Sequence, residues 1–137
     1  MWDRLSEAVG TRLLMIRFED KFERGVPDVH HVHSSGASGW LELKSLVKLP
    51  REVPLLRAAD FRPEQALWAN RYVRHGGRAG LLLRVVENDV WVYWRARAEV
   101  SWCSWIRSTA TEQVLEAADA VWRGGFDPDE LVEALCV

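Results

Sequence analysis

Asp28, preceded by Pro27, and the triplet Glu42-Leu43-Lys44, 14 positions later, are the residues whose types and spacing carry chemistry in this chain. Residues two apart in a strand share a face, so Glu42 and Lys44 point the same way. A hairpin of adjacent antiparallel strands brings Asp28 beside them. Two carboxylates in a polar notch suit a hard divalent cation that keeps part of its water shell. A lysine next to such a cation positions or deprotonates an attacking water and offsets phosphate charge. Those are the parts that phosphodiester hydrolysis needs: a Lewis acid, an activated water and stabilisation of the charge that builds on phosphorus. Other chemistries lack their parts. Ser34 to Gly39 is rich in Gly and Ser but has no lysine and no helix entry of a phosphate-binding loop, so no nucleotide cofactor is expected. Cys103 and the serines have no nucleophile motif around them.

The elements that must position these residues follow from pattern. Trp2, Leu5, Val9 and Leu13 recur at helical spacing and predict a helix over roughly 2–12. Leu14 to Phe18 and Val26 to His33 read as strands separated by a charged turn, Glu19 to Gly25. Trp40 to Lys44 alternates with period two, with Leu41 and Leu43 on one face and Glu42 and Lys44 on the other. Pro50, Pro54 and several basic residues make 46–61 an irregular connector. A helix starts near Pro63, a favoured first position, and stops at Gly76-Gly77, with Gln65, Trp68 or Ala69, and Tyr72 on one stripe. Ala79 to Val86 and Val90 to Trp94 form a hairpin around Glu87-Asn88-Asp89. Thr109 to Glu112 and Asp127 to Glu130 have capping-box form and start two further helices. Helix, strands, helix, strands and helices make an α/β or α+β plan.

The arrangement resembles the PD-(D/E)XK nuclease superfamily, with Pro27-Asp28 as the PD and Glu42-Leu43-Lys44 as the (D/E)XK. It is most similar to the branch of virus-type replication-repair nuclease (VRR-NUC) domains and phage-type or archaeal Holliday-junction resolvases. There a Gly-x-Pro-Asp strand leads to an apolar-Glu-x-Lys strand, then a helix bearing Gln, a Gly turn and an apolar strand. Here those pieces are Gly25-Val26-Pro27-Asp28, Trp40 to Lys44, Arg62-Pro63-Glu64-Gln65, Gly76-Gly77 and Leu81-Leu82-Leu83, within roughly residues 2–95. The resemblance implies a restriction-endonuclease-like core over 1–100, a mixed sheet flanked by helices, with 101–137 as a helical extension on the same domain. It implies Asp28 and Glu42 as ligands of Mg2+ or Mn2+ together with the Leu43 carbonyl, and Lys44 as the water-positioning or charge-stabilising group. Such enzymes often add a glutamate from the first helix, for which Glu7 is the candidate, with Glu19 and Glu23 as alternatives. Gln65 is expected near the site, touching the lysine or the scissile phosphate, unless it only bonds locally in its helix turn. The implied activity is metal-dependent endonucleolysis of branched DNA, as in a Holliday-junction resolvase. Flaps, single strands, forks, or DNA binding without catalysis are the alternatives. Symmetric cutting of a four-way junction requires two sites, hence a homodimer.

Composition sets bounds on this. The 137 residues include 18 Lys+Arg and 20 Asp+Glu, and the whole-chain net charge of −2 by itself argues against a nucleic-acid partner. The charge is segregated, however: residues 1–100 hold 16 cations and 13 anions, the rest 2 and 7. Within 44–84 there are nine cations and three anions, and Lys48, Arg51, Arg57, Arg62, Arg71 and Arg74 are the candidate phosphate contacts. Two cysteines, no long apolar run and a charged N-terminus without a signal-peptide core predict a cytoplasmic protein with no membrane span. His30, His31 and His33 alternate across a strand without a zinc spacing and read as a surface feature, with His30 on the Asp28 face. Trp91 and Trp94 are expected to build a core and an interface that Trp102 and Trp105 extend, with base stacking as the lesser alternative.

Overall fold

A computed structural model describes residues 1–19 and 23–136. The element order is α1 (Trp2–Val9), β1 (Leu14–Arg17), β2 (Val29–Val32), β3 (Ser38–Leu46), α2 (Leu55–Ala58), α3 (Pro63–Arg74), β4 (Ala79–Val85), β5 (Val90–Arg95), α4 (Trp102–Ile106), α5 (Thr111–Glu116), β6 (Ala120–Trp122) and α6 (Pro128–Cys136). The strands form one mixed six-stranded sheet in sequence order. Only β3 and β4 run parallel, and α3 is the helix of that crossover. No helix among the described residues is long and apolar enough to cross a membrane.

Alternation divides the sheet into two faces, each with its own core. On one, Leu81, Leu83, Val85, Val92 and Trp94 pack with α2, α3, α4 and α5 through residues such as Phe61, Ala66, Ala69, Trp102 and Val114. On the other, Leu41, Leu82, Trp91 and Tyr93 pack with Leu5 and Val9 of α1 and Leu131 and Leu135 of α6. β4 is buried along nearly its whole length because helices cover both of its faces, which is why it reads as an unbroken apolar run. Gly80 interrupts that run because a Cβ there would collide with the Tyr93 ring on β5.

The helices end where their local chemistry ends them. α1 stops at Val9, before Gly10 at φ 59, three residues short of the expected end. α3 runs to Arg74 and is followed by Gly76 at φ 90. The two capping-box sequences differ in outcome. Asp127 Oδ1 accepts the N–H groups of Asp129 and Glu130 and starts α6. At α5 no side chain caps the first turn, and the helix begins at Thr111 with Ala110 as its N-cap.

Two expectations are corrected. Residues 101–137 are not a purely helical extension, because β6 pairs with β5 and completes the sheet. The tail also supplies buried residues to both cores: Trp102, Ile106 and Val114 to one, Trp122, Leu131 and Leu135 to the other. Nor do the tryptophans of β5 form an exposed interface. Trp91 and Trp94 are 0% and 1% exposed, lie on opposite faces, and are covered by the chain's own helices.

Trp94 Nε1 also donates to the Val114 carbonyl at 2.8 Å, tying α5 to the sheet. Trp94→Phe is therefore predicted to lower unfolding free energy by about 1–3 kcal/mol in urea titration, from a lost hydrogen bond and lost volume. Truncation after Val100 is predicted to abolish the cooperative thermal transition, since it uncovers both cores at once.

Candidate functional site

β2 is short for a reason that can be read from Pro27. The ladder of β2 and β3 places Val29 opposite Leu41, and continuing it places Asp28 opposite Glu42 and Pro27 opposite Leu43. Pro27 has no N–H to donate, so the ladder cannot continue. Instead the Leu43 N–H donates to Asp28 Oδ2 at 3.0 Å. The N–H and C=O of one strand residue point to the same side, so the Leu43 carbonyl opens to this same edge beside the Asp28 carboxylate. On the β1 side the Asp28 carbonyl accepts from the Phe18 N–H at 2.6 Å. Phe18, Asp28 and Glu42 thus form one row across three strands.

Glu42 is the best-buried carboxylate among the described residues, 4% exposed. Its Oε1 accepts from Gln65 Nε2 at 3.0 Å and lies 3.3 Å from Lys44 Nζ. Its Oε2 is buried with no hydrogen-bond partner. Burial pushes the Glu42 carboxyl up to about 8, the neighbouring Asp28 carboxylate adds to the rise, and Lys44 opposes it. A buried oxygen that lacks a donor, beside a second carboxylate, needs a proton or a cation. The donor set fits a hard divalent ion: Asp28 and Glu42 carboxylates, the Leu43 carbonyl, and water for the remaining positions. No group of three or more His, Cys, Asp or Glu side chains converges among the described residues, so the side chains contribute this pair.

Gln65 is aimed from both ends. Its Oε1 accepts the Arg62 N–H at 3.0 Å, which caps the first turn of α3, and its Nε2 then faces Glu42. The local bond is present, and Gln65 also lies near the proposed site as expected, but the side chain it reaches is Glu42 and not Lys44. The turn is seated by Gly25. At φ 88 this residue lies against the Glu64 carbonyl and the Gln65 N–H, where a Cβ would collide with Glu64 backbone. The glycine of Gly25-Val26-Pro27-Asp28 and the glutamine of α3 are thereby one packing unit.

The other expected site residues are dispersed. Glu7 is corrected: it is exposed on α1, whose Leu5 and Val9 pack on the sheet face opposite to Glu42 and Lys44. Glu19 and Glu23, its alternatives, line a cleft of about 510 Å3 together with Asp28, Gln65, Phe18, Arg24, Arg62 and Glu64. Part of the turn that carries them, residues 20–22, lies outside the described residues. Of the six candidate phosphate contacts, only Arg62 lines the cleft. Arg71 is ion-paired with Glu23 at 3.3 Å. Arg57 shares a shallow pocket with Arg62 on its outer side, Lys48 and Arg51 line a separate groove beyond β3, and Arg74 is exposed at the end of α3. Among the histidines, His31 is buried against Gly39 rather than exposed, and burial lowers its imidazole to about 4. His33 Nδ1 pairs with the Ser35 hydroxyl, and His30 lies on the Asp28 face as expected.

What the sequence reading missed is an aromatic cluster beside the carboxylates. Trp40 contacts Phe18 at 5.7 Å, His30 at 4.8 Å and Trp68 at 5.7 Å between ring centroids, and Trp68 stacks on Tyr72 at 4.9 Å. The signal for Trp40 was present, since the alternation that puts Glu42 and Lys44 on one face puts Trp40 there too. Comparison with family models, with curated proteins and with solved structures returns no match to this chain.

The raised Glu42 carboxyl sets a direction for stability. Between pH 4.5 and about 8 the folded chain keeps a proton that the unfolded chain releases, so stability falls as pH rises through that window. Without divalent cation, urea midpoints are predicted to drop over this range, and Glu42→Gln to flatten the drop. Millimolar Mg2+ is predicted to raise the midpoint most at the alkaline end, where Glu42 has lost its proton. Gly25→Ala is predicted to destabilise by about 1–3 kcal/mol, measured the same way, because Glu64 backbone must move and Gln65 with it.

Proposed function

We propose that this chain is a metal-dependent DNA endonuclease of the PD-(D/E)XK kind, hydrolysing phosphodiester bonds in branched DNA as a Holliday-junction resolvase does. The observation that carries the reading is the placement of Asp28 and Glu42 side by side at the end of an interrupted ladder, with Lys44 on the same face. The order of elements supports it: a helix, three antiparallel strands, a crossover helix bearing Gln65, and a parallel fourth strand.

In this reading Asp28, Glu42 and the Leu43 carbonyl hold Mg2+ or Mn2+. The bound ion supplies Lewis acidity to the scissile phosphate and lowers the pKa of the attacking water. Lys44, 12% exposed along its side chain, lies 3.3 Å from Glu42 and would offer a proton or a positive charge to the phosphate held beside that carboxylate. Gln65 Nε2 holds the Glu42 rotamer by donating to Glu42 Oε1, which leaves Glu42 Oε2 buried without a protein donor and available to the cation. Arg62 on the cleft rim supplies a phosphate contact that positions the backbone without reading sequence.

A homodimer remains part of the proposal through the requirement for two cuts at a four-way junction. A second reading, cleavage of flaps, forks or single strands, is favoured by the aromatic cluster next to Asp28 and Glu42.

The test is a panel of substrates, a mobile four-way junction, a flap, a single strand and a linear duplex, assayed with Mg2+, with Mn2+ and with chelator. Cleavage of the branched substrates is expected with metal only. Asp28→Asn, Glu42→Gln and Lys44→Ala are each expected to lower the rate at least about a hundredfold while binding persists. Cleavage that survives Asp28→Asn would sink the assignment.

A further inference from the structure

The face of β1, β2 and β3 that carries Asp28 and Glu42 is only partly roofed. α3 lies over β3 and β4, where Trp68 meets Trp40, and leaves the outer strands open. Register places three rows on this open face. Phe18, Asp28 and Glu42 form the first, Ile16, His30 and Trp40 the second, and Leu14, Val32 and Ser38 the third. The outermost residues are large, apolar and exposed: Leu14 61%, Ile16 47% and Phe18 44%. Three such side chains side by side on one strand face make a contiguous apolar patch, the kind that marks a docking site.

Chemistry selects the occupant. Rows on one strand repeat about 6.6 Å apart, two residues of rise, so rings of the second row stand one row from the carboxylates. A phosphodiester held at Asp28 and Glu42 carries its flanking sugars and bases across that distance. Among the described residues the second and third rows, the floor they meet, offer aromatic and aliphatic surface with His30 and Ser38 and no Lys or Arg, so they have little for the phosphates that a paired duplex presents outward. Bases released from pairing present flat apolar faces, which such a floor accepts regardless of sequence. The cleft wall holds two cations, Arg24 and Arg62, among Glu19, Glu23 and Glu64, so the backbone of the same strand would meet few phosphate contacts there and the bases must supply the rest of the binding. A protein partner fits less well, because Phe18 belongs both to the open face and to the cleft wall. Covering the face would close the route to Asp28.

We propose that the open face formed by Phe18, Ile16, His30 and Trp40 is a stacking shelf for unpaired nucleobases. The strand cut at Asp28 and Glu42 is then single-stranded or splayed apart next to the scissile phosphate. This rests on the nuclease reading for its geometry and narrows the substrate to DNA with unpaired bases at the cut.

The experiment measures fluorescence anisotropy in chelator, so that no cleavage intervenes, with two labelled probes. One is a dT oligonucleotide about a dozen nucleotides long and the other a blunt duplex of about twenty pairs. Phe18→Ala, at an exposed position that the core does not need, is expected to weaken dT binding about tenfold and to change duplex binding less than about twofold. Phe18→Tyr, which keeps a ring, is expected to restore dT binding, and Trp68→Ala, at the far side of Trp40, to weaken it in the same selective way. Unchanged dT affinity in Phe18→Ala, or equal losses on both probes, overturns the shelf whether or not the chain cuts DNA. A dimer of the wild-type chain in sedimentation that Ile16→Glu dissociates also overturns it, in favour of a contact between copies. Selective loss on dT by a chain that cuts none of the panel substrates with either metal upholds the shelf and overturns the nuclease reading alone.

Discussion

The hydrogen bond from the Leu43 N–H to Asp28 Oδ2 stands where the next rung of the β2–β3 ladder would have been. Pro27 prevents that rung, and everything peculiar to the site follows from the replacement. Because β2 ends there, β3 continues to Leu46 paired with β4 alone, and its other edge is open beside the Asp28 carboxylate. Because the substitute acceptor is a side chain, a carboxylate is fixed at the edge by the sheet itself, opposite Glu42. A backbone rung would have closed the edge and left no oxygen to spare. The cost is a pair of carboxylates in contact, one of them buried, which a folded chain tolerates only with a proton or a cation between them.

That tension is held in place by α3. The capping bond from the Arg62 N–H to Gln65 Oε1 turns the amide nitrogen toward Glu42, so a helix start and a site contact are the same residue. Gly25 allows the lead-in to Asp28 to lie directly against this turn, which no residue with a side chain could do at φ 88 without displacing it. Three segments far apart in sequence therefore lock one another. The β4 strand beneath, buried by helices on both faces, keeps their separation constant.

Much of this was legible in the residues. Strand alternation put Glu42 and Lys44 on one face, Pro63 and Gly76 marked the ends of α3, and Asp28 found its place by hairpin geometry. Glu7 was misplaced because a helical period says which residues share a face but not which side of a sheet the helix will cover. Trp91 and Trp94 build cores as the strand pattern implies, but for the same kind of reason the pattern does not show that no interface is left. Their burial depends on α4, α5 and α6 returning over the sheet, a long-range event with no local signature. Residues 101–137 looked like an acidic appendage by charge, whereas their apolar positions, Trp102, Val114, Trp122 and Leu131, complete both cores. His31 illustrates the limit within one strand, since alternation placed it opposite His30 but could not show that Gly39 leaves room for its ring.

The acidic tail also decides how the net charge of −2 is to be understood. Asp119 is paired with Arg97 and Asp129 with Arg12, which attaches the tail to the body, and Glu130 accepts from the Trp122 indole within the tail. The cations of residues 44–84 are likewise not gathered into one field, and the cleft rim mixes Arg24 and Arg62 with Glu19, Glu23 and Glu64. Phosphate contacts near the carboxylates are consequently few. Affinity for a nucleic acid that depends on few released counterions is weak and only mildly sensitive to salt. On the proposed nuclease reading such a site cannot rely on a basic track to hold its substrate, and the apolar row beside Asp28 and Glu42 would be the complementary source of binding energy.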